Sequence, residues 1–425
     1  MHVLNNWIIN FPAILCRIPK FVIAVFVLLF VYISYQVHPY DGSDFRWYWS
    51  LGRAIIEGIN PFVMRDLNSL THYHPVPFDF AIMPYPASTG VLLLPFALFK
   101  FSISAVMFKV LGTTVLVYGC VLIVKKTATN IITVSTCIPI VLLLLLWGPV
   151  RWASSNLQLI TLISGLFAIF VSIRPDKTDT WRILIFILVL GLKFTSVIPF
   201  LLVFALQRKW RSAIVGLIAG TVVVLGSFVR TGLPGSLFDY MANLRTFSRF
   251  DHPADAATPH VHDAGIRLDF SYFINSFFVD LPNVSIIAIV VTVLIIAVII
   301  KFGTGDFTCE RGKLSLIACT GVGLLPTYQH VYAWVLFVPI FAMLMTGVNW
   351  TLLPSNIRYL VSLILLYGFT TATNVSTAFL RKHIGEFAVI MFRTYPSGLL
   401  VIITLTALFY MIRTDWTKKD QLQNQ

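Results

Sequence analysis

Two carboxylates, Asp41 and Asp44, open the stretch in which polar chemistry is densest. It reads Asp41-Gly-Ser43-Asp44-Phe45-Arg46-Trp47-Tyr48-Trp49, then Gly52-Arg53-Ala-Ile-Ile-Glu57-Gly58-Ile-Asn60-Pro61. A carboxylate placed like Asp44 can do two things. It can sit in the positive first turn of a helix, with Ser43 as the cap. It can also serve as a general base that takes a proton from a hydroxyl attacking an electrophile. The residue types leave both readings open. A cation shared by Asp41 and Asp44 would want at least a third ligand, which the stretch does not supply.

Cations are the natural partners of an anionic substrate. Lys193 interrupts the apolar stretch Trp181–Leu206, where a lysine is expensive and marks either an anion contact or a side chain snorkelling to the surface. Arg151, after Trp147-Gly-Pro, is a second candidate. Further on, His252, Asp255, His260, His262 and Asp263 cluster without the spacing of a tetrahedral metal site, so no metal is expected.

The elements that must position these groups are set by composition. Of 425 residues, 57% are hydrophobic and only 12% charged, against about 25% charged in soluble domains. Runs of about 20 apolar residues recur, and in lipid such runs satisfy their backbone only as helices. The expected architecture is therefore all-α: one polytopic transmembrane unit over 1–425, with about 10–12 spans. The net charge of +13 falls in clusters between spans: Lys125-Lys126, Arg174/Lys177, Arg208-Lys209-Arg211, Arg311/Lys313 and Arg413/Lys418/Lys419. The positive-inside rule accounts for these as cytosolic, and a nucleic-acid partner is not needed to explain them.

This assignment places a first span at about 20–37, retained rather than cleaved. Outer loops follow at about 38–84 and 231–282, and a cytosolic tail at about 414–425. Over Pro86–Val124 we expect a short helix dipping in from the outer face, then a span returning to Lys125. Spans are expected at about 131–148 and 157–173. Two short helices over Trp181–Leu206 should meet near the outer face at Lys193. Later spans are expected at 212–230, 283–302, 314–326, 327–347, 359–379 and 396–413. From Asp44 to Glu57 the pattern suits an amphipathic interfacial helix with Phe45, Trp49 and Ile56 toward lipid. Most carboxylates, and every histidine but His2, fall on the outer side. The five cysteines fall in spans or cytosolic segments, so no structural disulfide is expected.

The run Asp44-Phe45…Tyr48-Trp49…Gly52-Arg53-Ala54…Gly58…Asn60-Pro61 resembles the opening signature of the polyprenyl-phosphate-mannose-dependent mannosyltransferases of glycosyltransferase family 87, in the GT-C superfamily. Four landmarks follow in that family's order. They are Pro84-Tyr85-Pro86 with Leu92-Leu93-Leu94-Pro95; Ser155-Asn156-Leu157-Gln158; Gly191-Leu192-Lys193 with Pro199 and Arg208-Lys209-Trp210-Arg211; and Leu325-Pro326…His330-Val331-Tyr332 with Pro339. The chain differs in carrying Ala87 for a second proline, Phe194 after the lysine, and the two amides Asn156 and Gln158 exchanged.

The resemblance implies a transmembrane enzyme that takes a sugar, mannose or a related one, from a polyprenyl-phosphate donor. The acceptor would be a glycolipid or growing glycan on the outer face of the membrane, and no cofactor is implied; the short loops and the lack of outer cysteines suit a bacterial cytoplasmic membrane. It casts Asp44 as general base, with Lys193, Arg151, His330 and Tyr48 toward the donor's phosphate or sugar. Arg245, Arg249 and His262 would face the acceptor. A transporter or flippase of lipid-linked sugars is a rival, although no inverted repeat is visible. A glycan polymerase or ligase is another, separable by its diphosphate-linked donor.

Overall fold

The computed structural model describes residues 44–63, 83–127, 134–174, 179–247, 270–277, 284–326, 331–346, 350, 353–370 and 385–423. Every regular element among them is helical. Among the described residues three helices are long and apolar enough to cross a membrane, Phe101–Thr127, Trp210–Ser227 and Tyr395–Thr414. The chain is an all-α polytopic membrane protein. Its expected first span, 20–37, lies outside the described residues.

Helix α1 (Phe45–Glu57) ends on Gly58, whose φ of +70° suits glycine and whose N–H returns to the Ala54 carbonyl. Two short helices, α2 (Ala87–Leu92) and α3 (Leu94–Ala97), precede the long α4 (Phe101–Thr127), the short-helix-then-span arrangement expected over Pro86–Val124. Helix α1 packs on α2 and α3 without a gap. A Cβ built on Gly90 would stand 2.7 Å from the Leu51 carbonyl carbon, and one on Gly52 2.6 Å from the Ala97 Cβ.

This packing corrects one expectation. Phe45 and Trp49 do not face lipid. Phe45 packs against Phe96, Phe101 and Phe108, and Trp49 packs edge-on to Phe101 while its indole N–H bonds to the Phe99 carbonyl. Ile56 is half-buried. A 3.6-residue period shows which face is apolar but not whether lipid or protein covers it.

Helix α5 (Val134–Leu146) leads into α6 (Gly148–Ser155) and α7 (Leu159–Ser172). Helix α7 lies against α4, and Gly119 and Gly165 meet at the crossing. A Cβ on either would stand 2.5 Å from the other helix's backbone. Small residues at such crossings are how apolar helices approach closely in lipid. At 14 residues α7 rises about 21 Å, short of the roughly 30 Å of hydrocarbon.

Helices α8 (Thr180–Leu192) and α9 (Ile198–Leu206) are separated by a 3-10 turn, Phe194–Ser196, with Lys193 at the break. Pro199 in the first turn of α9 cannot continue a preceding helix, which fixes the break there. The two-helix expectation for this stretch is met. Helix α10 (Trp210–Ser227) follows, and the expected outer loop 231–282 carries α11 (Gly235–Phe247) and α12 (Phe270–Phe277). Then come α13 (Val284–Phe302), α14 (Glu310–Leu324), a 3-10 segment Val331–Phe337, α15 (Val338–Leu344) and α16 (Ser355–Thr370). Helix α17 (Glu386–Gln423) runs through Pro396 and continues helically across most of the expected cytosolic tail.

Basic connections gather at one end of the bundle. The Lys126 ammonium donates to the Val171 and Ile173 carbonyls at the end of α7. The charges reaching it are those of Arg174, Arg182 and Asp306. Beside them Asp179, at the start of α8, takes Ser212 at 3.0 Å, Lys209 at 3.2 Å and Arg182 at 3.5 Å, which staples α8 to α10.

Candidate functional site

The opposite end of α7 gathers the candidate site. Between α6 and α7 the chain turns through Asn156, Leu157 and Gln158, with Leu157 at φ +51°, a left-handed conformation that ordinarily disfavours leucine. The turn directs two groups at the start of α1. The Asn156 carbonyl accepts the Asp44 N–H at 3.1 Å, and the Gln158 side-chain amide donates to Asp44 Oδ2. Asp44 is at the N-cap position of α1 but makes no side-chain capping bond. Asp44 therefore does stand at the helix start, but its carboxylate bonds to Gln158 rather than to its own helix. Ser43, its expected cap, lies outside the described residues.

Gln158 is 3% exposed and serves two partners. Its Oε1 accepts the Tyr48 hydroxyl at 3.5 Å, and that hydroxyl also lies 3.1 Å from the Tyr85 hydroxyl. The two tyrosine rings meet edge to face, centroids 4.7 Å apart. Tyr48 comes from one turn into α1 and Tyr85 from the Pro84-Tyr85-Pro86 bend before α2. Three landmarks separated in sequence therefore meet around one carboxylate.

Lys193 arrives from the fourth. Its segment is pinned to α2, where Ser88 Oγ donates to the Gly191 carbonyl at 2.7 Å and Thr89 Oγ1 to the Leu192 carbonyl at 2.9 Å. The charges acting on Asp44 are Lys193 and Arg46. Part of Asp44 stays open to the surface, yet burial holds its pKa above the ordinary carboxylate value. The Gln158 bond, Lys193 and Arg46 pull it the other way and lose. A carboxylate with raised proton affinity is a better base, provided its ionised form is still populated.

The other expected site residues fare differently. Arg151 is half-buried on α6 and is not among the charges acting on Asp44. Arg245 is exposed in the last turn of α11. His330, Arg249, His262 and the rest of the histidine cluster lie outside the described residues. Among the described residues no three His, Cys, Asp or Glu side chains converge as metal ligands. The sequence reading passed over Gln158, Tyr85 and Arg46 as site residues. The first two stand inside quoted landmarks, so the signal was present in their position rather than their chemistry.

The model of glycosyltransferase family 87 matches residues 84–326, more than half of the chain. The chain belongs to this family. It is a membrane glycosyltransferase, and sugar donor and acceptor are its substrates. The matched residues include Tyr85, Gln158 and Lys193, while Asp44 and Tyr48 precede them. No curated protein matches the chain.

Proposed function

We propose that this family 87 member moves a sugar, mannose or a close relative, from a polyprenyl-phosphate donor to a glycolipid or glycan acceptor. The site would face the outer side of a bacterial cytoplasmic membrane, and residues 1–425 would form one catalytic unit. Asp44 takes the proton from the acceptor hydroxyl as that oxygen bonds to the anomeric carbon. The bond from that carbon to the phosphate oxygen breaks on the opposite face, so configuration inverts and polyprenyl phosphate leaves.

The observation that supports this reading best is how Asp44 is held. Its carboxylate makes no capping bond to its own helix, is tied to Gln158, and is made more basic by burial. Lys193, whose charge reaches the same place, is the cation suited to the departing phosphate. Tyr48, expected toward the donor, also steadies Gln158 through its hydroxyl. The gathering of basic residues at the far end of α7 supports an outer-face site by the positive-inside rule.

The test uses purified protein in lipid, with radiolabelled polyprenyl-phosphate sugars and a membrane-lipid extract as acceptor. Wild type should move label into a glycolipid, and Asp44→Asn should not. Full turnover by a well-folded Asp44→Asn would refute the assignment of the base. Transfer only from diphosphate-linked donors would favour a polymerase or ligase instead.

A further inference from the structure

A lysine in the lipid-facing part of a spanning helix is the most conspicuous group that the site above leaves unused. Lys109 is the ninth residue of α4, about 12 Å along the helix from its start. Its neighbours Val106, Met107, Val110 and Leu111 are all exposed and apolar, a surface suited to hydrocarbon. Such a cation within a span marks a function by default.

What lies behind Lys109 is polar. It lines a crevice between α4 and the α6–α7 turn with Thr113, Ser154, Thr161 and Gln158. Ser154 is 8% and Thr161 7% exposed, and the hydroxyl of each has no hydrogen-bond partner among the described residues. A buried hydroxyl without a partner costs about 1–3 kcal/mol, so two in one crevice call for an occupant. The crevice is half open and leaves about 10 Å³, room for about one water-sized group. A cation and hydroxyl donors around an oxygen-sized hole suit an anionic oxygen. Gln158, which lines the crevice, is the residue that holds Asp44.

We propose that Lys109, Ser154 and Thr161 bind a phosphate oxygen of a polyprenyl-phosphate lipid, whose isoprenoid chain lies along the exposed apolar stripe of α4. The lipid enters sideways from the bilayer and reaches the site past Lys109. This rests on the donor class proposed above and adds where the donor's phosphate is first held. Lys109 and the two hydroxyls are binding groups here, and the proposal assigns them no part in proton transfer.

Binding, not turnover, is the readout. The full chain in detergent is titrated with a polyprenyl monophosphate and followed by native mass spectrometry, with polyprenol, phosphatidic acid and inorganic phosphate as parallel ligands. Wild type should prefer polyprenyl monophosphate to every one of these. Lys109→Gln should weaken that ligand at least about tenfold and leave polyprenol unchanged. Ser154→Ala with Thr161→Val, which removes hydroxyls that have no partner among the described residues, should weaken it severalfold and guards against misfolding of the lysine variant.

Unchanged affinity in both variants would overturn the proposal. Equal affinity for phosphatidic acid would overturn the isoprenoid assignment. Asp44→Asn removes a negative charge near the site and should bind the lipid at least as tightly as wild type while losing transfer, so failure of the proposed base and failure of this site are read separately.

Discussion

Replacing Gln158 by leucine removes the group that holds Asp44 while keeping a side chain of similar bulk. Gln158 is almost fully buried and donates to a carboxylate. Hydrogen bonds to charged groups are worth about 1.5–3 kcal/mol. If that much orientation is lost in the transition state, transfer falls about 10- to 150-fold, at one decade per 1.36 kcal/mol. The same bond lowers the pKa of Asp44, so its loss lets burial push the carboxyl higher still. The base acts in its ionised form, and rate declines as pH falls through its pKa. The acidic limb of the pH–rate profile should therefore move to higher pH in Gln158→Leu. Gln158→Glu should move it further, because two carboxyls in contact cannot both ionise easily. The assay is transfer of labelled sugar across a pH series, with thermal unfolding as the folding control. A folded Gln158→Leu with wild-type rate and an unmoved acidic limb would refute the reasoning.

Three further outcomes follow from the geometry. Burial raises the Asp44 pKa in the fold, so its contribution to stability is full below the unfolded carboxyl value and is lost as pH rises through the folded one. Asp44→Asn should thus melt higher than wild type above that range and close the gap in acid, measured by melting temperature against pH; a variant that melts lower at neutral pH contradicts this. Gly90→Val forces a side chain against the Leu51 backbone, should destabilise by about 1–3 kcal/mol, and should cut transfer by lifting α1 off α2; an unshifted melting temperature would show that the two helices are loosely packed. Asp179→Ala leaves the fully buried Arg182 without its carboxylate, and should cost about 3–5 kcal/mol in thermal unfolding with little effect on the donor's affinity.

The helical membrane class was legible because it depends on composition and run length, which packing cannot reverse. The break at Lys193 was legible for a similar reason, since a lysine, then Pro199, punctuate an otherwise apolar stretch. What covers α1 was not. Phe45 and Trp49 satisfy a lipid-facing pattern and a protein-facing one equally, and only the tight approach of Gly90 and Gly52 decides between them. Lys109 escaped notice because α4 is apolar as a whole, and one cation barely alters the pattern of a 27-residue helix.

The turn at Leu157 shows why the site itself was only half visible. A leucine at φ +51° announces nothing in a sequence, since glycine or asparagine is the usual signal for that conformation. Yet this turn brings both the Asn156 carbonyl and the Gln158 amide to Asp44, from opposite sides of one buried leucine. The two amides stand exchanged relative to the family's pattern, and the geometry shows how such an exchange is tolerated. One amide residue contributes only its backbone carbonyl, a group every residue owns, so the carboxylate needs a side-chain donor from just one of the two positions. Three of the later landmarks each bring one group toward Asp44: Gln158 an amide, Lys193 a charge, and Tyr85 a hydroxyl that reaches it through Tyr48 and Gln158. A motif that carries one contact stays short and weak when read alone, and its order along the chain records the order in which the fold returns to Asp44.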